Sequence, residues 1–174
     1  MKRFLAALLC AGLILVFASG CNSVPKVETG DEAKSLNASD YADTLDGLAT
    51  YFSAYGYINP LQTDTVTKMD ASLIGAKAGN KYTEYVVKNV TIELYEFDTK
   101  NPPATADEII SEVKNNGKFS ILELPEVNAY LSDSGKFMMI YNDNSINNEN
   151  PDKNSDNYKH REEVLKRFRS FKGK

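Results

Sequence analysis

Apolar and polar positions divide the chain into stretches of different period. Residues 5–17 are apolar without a break and follow Lys2 and Arg3. Residues 22–36, NSVPKVETGDEAKSL, are polar and carry Pro25 and Gly30, the composition of a tether. Tyr41, Leu45, Leu48, Phe52 and Tyr55 then recur at spacings of four and three, which predicts a helix capped at Ser39 or Asp40 and stopped by Gly56. Residues 72–77 read as a short strand ending at a Gly79-Asn80 turn. From Lys81 the chain is β-branched and aromatic, with a Lys88-Asn89 turn between two strands, and Val90, Ile92 and Leu94 alternate with Thr91, Glu93 and Tyr95.

Thr105 followed by Glu108 has the spacing of a capping box. Ile109, Ile110 and Val113 supply that helix's buried side, and Gly117 its left-handed stop. FSILEL (119–124) reads as extended, and Asp133-Ser134-Gly135 as a hairpin turn. The strand after it is apolar on both faces, with Phe137, Met139 and Tyr141 on one and Met138 and Ile140 on the other. Such a strand lies in mid-sheet, or under helices on two sides. Residues 142–157 form a polar loop. A last helix is expected from about Tyr158, with Val164, Leu165, Phe168 and Phe171 as its stripe. The predicted fold is therefore α+β: a mainly antiparallel sheet of four to five strands in two hairpin blocks with three helices, in the order α-ββ(β)-α-ββ(β)-α.

The start of the chain predicts an address. A positive pair, a short apolar run and small residues before a cut are the parts of an export signal, too short to span a bilayer. Ala18-Ser19-Gly20-Cys21 resembles the lipobox of bacterial lipoproteins, departing from it in having Ala18 where that family prefers Leu. The resemblance implies a signal peptide over 1–20 and an acylated (palmitate-type) Cys21. It also implies a chain held by lipid on the extracytoplasmic side of the cell membrane; the polar composition that follows gives a lipidated cysteine and tether over 21–37, and the element pattern a single α+β domain over 38–174. The segments 92–119 and 132–143 resemble small uncharacterised lipoproteins of Gram-positive gut and soil bacteria, a likeness that carries no activity.

Processing changes the composition. Removing 20 of 174 residues leaves 154 and takes Cys10, so a lipid-bearing Cys21 leaves no disulfide. It also takes Lys2 and Arg3, leaving 18 basic and 24 acidic residues. Residues 159–174 hold seven basic and two acidic side chains, so an acidic body ends in a basic helix. Nucleic acid is not an expected partner, since the body repels phosphate.

Candidate chemistry is sparse. His160 is the one histidine and is expected as an exposed helix residue; nucleotide, zinc-protease and nucleophile motifs do not occur, so no catalytic residue is assigned. Asp152, Asn154, Asp156, Tyr158, His160 and Glu163 fall at positions 1, 3, 5, 7, 9 and 12 of a calcium loop. Asn157 replaces its turn glycine and Lys159 its apolar position, and an Asn/Asp-rich cap explains the same residues. Tyr51, Tyr55 and Tyr57 invite a sugar-stacking reading, but their helical spacing first predicts core packing. Lys166, Arg167, Arg169 and Lys172 are candidates for contact with an anionic surface or polymer; the alternative is a solvated face complementing the helix dipole.

The expected function is that of a lipid-anchored envelope protein, a non-enzymatic binding or accessory module with an envelope protein or anionic polymer as partner and no cofactor beyond the calcium candidate. The alternatives are a small cell-envelope hydrolase using carboxylates and a solute-binding component of a transport system.

Overall fold

The computed structural model describes residues 36–59, 65–84, 90–122 and 124–174. The lipobox, most of the tether and the Lys88-Asn89 turn lie outside them.

The elements in chain order are α1 (Leu45–Ala54), β1 (Val66–Lys68), β2 (Ala78–Glu84), β3 (Val90–Glu96), α2 (Ala104–Asn116), β4 (Lys118–Phe119), β5 (Val127–Asn128), β6 (Tyr130–Leu131), β7 (Phe137–Asp143) and α3 (Asp156–Arg169). Five strands form an antiparallel sheet in the order β1-β2-β3-β7-β6, and β4 pairs with β5 in a separate ribbon. This is the α+β class the pattern predicts, with helices and strand blocks alternating as expected; the second block has four strands, β4–β7, rather than two or three, because β4 and β5 form their own ribbon.

The sheet lies between two cores. Tyr82, Val90, Ile92, Leu94, Phe137, Met139 and Tyr141 face α1 and α3, where Leu48, Phe52, Val164, Leu165, Phe168 and Phe171 meet them. Tyr95, Met138 and Ile140 face the other way, onto Ala106, Ile109 and Val113 of α2 with Phe119 and Phe97. Thus β7 is covered on both faces, as its unbroken apolar run requires. Each fully buried large side chain contributes about 1.5–3 kcal/mol of transfer free energy.

Several local expectations are corrected. Ser39 and Asp40 do not cap α1; they belong to a 3-10 turn over Ala38–Asp40 capped by Asn37. The helix begins four residues beyond that turn, with Thr44 accepting from the Gly47 amide at 3.1 Å. Residues 71–74 are a 3-10 turn rather than strand, because Ala71 and Ile74, three apart, both enter the second core. Gly79-Asn80 is not a turn but part of β2, opposite Tyr95 and Leu94. A Cβ on Gly79 would sit 2.5 Å from the Tyr95 ring, so glycine there makes room for an aromatic across the ladder.

Thr105 is not an N-cap. Pro103 occupies that position, and its carbonyl accepts from the Ala106 and Asp107 amides at 2.9 and 3.2 Å. The extended Pro102-Pro103 pair turns directly into helix, which leaves Thr105 inside the first turn. Gly117 does end α2, with φ 71° and its amide on the Val113 carbonyl at 2.9 Å. Among its described residues, FSILEL is strand only at Phe119, in β4; Leu122 has φ 56° and projects into solvent. The hairpin turn at 133–135 is present, with the Ser132 amide on the Phe137 carbonyl at 2.9 Å. The last helix starts at Asp156, capped by Ser155.

The segment after α3 is clamped to the one before α1. Lys174 N–H donates to the Tyr41 carbonyl at 2.9 Å and Asp43 N–H to the Lys174 carbonyl at 3.0 Å. No helix among the described residues is long and apolar enough to cross a membrane.

Candidate functional site

The C-terminal end of α1 and the second half of α3 build a polar cluster that borders a groove. Gly56, φ 75°, reverses the chain after α1. Its amide bonds the Ser53 carbonyl at 2.9 Å and that of Tyr57 the Phe52 carbonyl at 3.0 Å, the paired bonds of a Schellman ending. This ending turns Tyr57 back against Phe52, edge to face at 5.6 Å, and lays it parallel to Tyr55 at 5.7 Å.

On α3, Glu163 and Arg167 are one turn apart and pair at 3.0 Å. The Tyr57 hydroxyl donates to Glu163 Oε1 at 3.0 Å and accepts from Arg167 Nε at 2.8 Å. The Arg167 guanidinium also lies 3.7 Å over the Tyr55 ring centre, a cation–π contact. The Tyr55 hydroxyl in turn accepts from the Leu36 amide at 3.0 Å. Leu36, Tyr51, Tyr55, Glu163, Lys166, Arg167 and Ser170 border a groove of about 750 Å³.

The charges of this cluster support one another. Burial opposes ionisation of the Glu163 carboxyl, but hydrogen bonds from Arg167 and Tyr57 outweigh it and hold its pKa below the ordinary glutamate value. Burial likewise opposes the Arg167 charge and the bond to Glu163 outweighs it. Burial first, and the Glu163 charge second, push the Tyr57 phenol upward.

The structure brings together some of the residues singled out from sequence and separates others. Lys166 and Arg167 border the groove. Arg169 lies instead over Tyr130, at 5.9 Å, and Lys172 is exposed beyond the helix. Tyr51 and Tyr57 are core residues and Tyr55 is half-buried, so the packing reading of the tyrosines is the one the structure shows. His160 is half-buried edge-on to Tyr57 at 5.6 Å, not fully exposed.

At the calcium candidate, Asp152 Oδ1 accepts from the Asn154 amide at 2.9 Å and Ser155 caps the helix from the Tyr158 amide at 3.2 Å. Because α3 begins at Asp156, Tyr158 and Glu163 are already helical, and Glu163 lies about 10 Å along the axis from Asp156. Among the described residues, no group of three or more His, Cys, Asp or Glu is placed to hold a metal ion.

Pattern reading missed the Tyr55–Arg167–Tyr57 contact. Its one sequence signal is the four-residue spacing of Glu163 and Arg167; the tyrosines are more than 100 residues away in the chain. No family model, curated protein or solved structure matches this chain.

Proposed function

We propose that this chain is a lipid-anchored extracytoplasmic envelope protein, a non-enzymatic binding or accessory module attached to the cell membrane through an acylated Cys21. Its binding surface is the groove between α1 and α3. The observation that carries this reading is the position of the groove: Leu36, its border residue, is joined to Tyr55 and lies 15 residues after the lipobox cysteine.

The chemistry of the groove argues against Glu163 as a general acid. A general acid must hold its proton near neutral pH, which requires a raised pKa, whereas Glu163 is shifted downward. The buried carboxylates elsewhere have structural partners. Glu96 accepts from the Leu45 amide, Glu93 from the Tyr95 hydroxyl and Asp143 from the Asn157 side chain.

Two measurements on the full chain test this. Labelled palmitate is expected to join wild type and not Cys21→Ser; a free thiol at residue 21 of the processed protein removes the anchor. Capture from detergent-solubilised envelopes is expected to recover a partner with wild type that Arg167→Ala loses. Identical recoveries remove the groove.

A further inference from the structure

We infer that the groove between α1 and α3 is a phosphate site whose occupant is the headgroup of an anionic phospholipid, held by Lys166 and Arg167. This rests on the lipid-anchored reading above and names the ligand of the same groove.

The first observation is the state of Arg167. Its Nε and Nη2 are bonded to Tyr57 and Glu163, and its plane is laid on Tyr55. Among the described residues Nη1 has no hydrogen-bond partner. A guanidinium has five N–H donors in a rigid fork suited to phosphate. Packing on three sides fixes that fork in place, so little rotamer freedom is lost when a ligand accepts from Nη1. The second is Lys166, exposed on the border and in no ion pair among the described residues. With Glu163 committed to Arg167 and Tyr57, the free charge presented to a ligand is positive. The third is position. Even fully extended, the 15 residues from Cys21 to Leu36 reach no more than about 50 Å, so an anchored chain keeps the groove near the headgroups.

The groove differs from a diffuse basic helix, and the difference is testable. Arg169 belongs to the same helix but lies over Tyr130, away from the groove. The processed chain, residues 21–174, carrying Cys21→Ser, which cannot be acylated there, is co-sedimented with phosphatidylcholine vesicles with and without phosphatidylglycerol as about a third of the lipid. Anionic lipid is expected to raise the bound fraction. Lys166→Gln is expected to weaken binding about fivefold, the equivalent of about 1 kcal/mol per basic residue at an anionic surface. Arg167→Lys, which keeps the charge and loses the fork, is expected to weaken it comparably, with a lowered but still cooperative melt showing that the chain remains folded. Arg169→Gln is expected to change it less than about twofold, being remote from the groove.

Equal binding to both vesicle types overturns the proposal, as does an equal loss in Lys166→Gln and Arg169→Gln. Competition by millimolar inorganic phosphate, or preference for a soluble poly(glycerol phosphate) over vesicles, assigns the site to a free phosphate source and overturns the lipid headgroup. Because this chain carries no acyl group, these outcomes are independent of palmitate labelling at Cys21, and the two readings fail separately.

Discussion

Glu96, the last residue of β3, accepts a hydrogen bond from the amide of Leu45, the first residue of α1, at 2.7 Å across 51 positions of sequence. A buried carboxylate therefore sits on the positive end of a helix, one of the few places where burying a negative charge is favourable. Lys77 and Lys136 approach its other oxygen at 3.4 and 3.8 Å, and Lys136 continues to Asp43 at 2.9 Å. This side chain adds a polar tie between the sheet and the start of α1 to the apolar packing of Leu48 and Phe52.

Glu96→Ala is expected to cost about 3 kcal/mol, since it strips a buried amide and two ammonium groups of their partner. Glu96→Gln keeps an acceptor and loses the charge, and is expected to cost about 1 kcal/mol. Urea midpoints at constant slope read both values. A Gln variant as stable as wild type would show that the charge adds nothing, and a Gln cost equal to that of Ala would show that the retained acceptor adds nothing.

Phe171 is buried against Tyr51 and Phe137, at 5.2 and 5.7 Å between ring centres. Phe171→Ala is expected to cost about 3–5 kcal/mol. Gly173→Ala is expected to destabilise as well, because its Cβ would lie 2.5 Å from the Asp43 nitrogen. Truncation after Ser170 is therefore expected to unfold the domain while removing two lysines, so surface charge must be tested by substitution. Thermal melts of the three variants check this.

Among the described residues, Tyr51, Tyr57, Tyr82 and Tyr95 have raised pKa values, each chiefly through burial. Their neutral form is favoured by folding. The stability they contribute is whole below the unfolded value of about 10 and is lost as pH rises beyond it. Tyrosinate absorbance is expected to show these four ionising only with alkaline unfolding. A titration in which all ten tyrosines ionise together while the fold persists would refute it.

Glu163 titrates in the opposite sense, with its folded pKa lowered from 4.5. Its contribution is whole above that value and fades as pH falls through the folded one. Glu163→Gln is expected to flatten the acid side of the stability–pH curve. A curve parallel to wild type below pH 4.5 would count against the Arg167–Tyr57 network.

Ser155→Ala is expected to cost about 1 kcal/mol through loss of the α3 cap, with the same cost in calcium and in chelator. A melting temperature of wild type that rises with calcium concentration, as linkage requires of a ligand bound only to the folded state, would assign the 152–163 loop to the ion.

Fold class was legible from sequence where the period of apolar residues was long and unbroken. The double-sided run of β7 placed it in mid-sheet, and the Phe168-containing stripe placed α3 on the core. Local punctuation was less legible because its meaning depends on what lies opposite. Gly79 reads as a turn until Tyr95 is seen across the ladder. Thr105 reads as a cap until Pro103 is seen to supply the first helical carbonyl. The candidate site was legible in part: Lys166 and Arg167 stood out as cations, but the same reasoning grouped them with Arg169, which the helix sends elsewhere.

Sequence alone determined which faces of each element are apolar, and with them the layering of helices on an antiparallel sheet, because burial of periodic apolar surface depends on spacing within a few turns or strands. It also determined the expectation of an anchor at Cys21. Only the tertiary structure decided that Glu96 serves α1, that Glu163 turns to Arg167 and Tyr57, and that Arg167 lies flat on Tyr55. Apart from the Glu163–Arg167 pair, one helical turn apart, those contacts join residues 51 or more positions apart, and a polar side chain's partner is set by which groups packing leaves within about 3 Å of it, a distance no local pattern encodes.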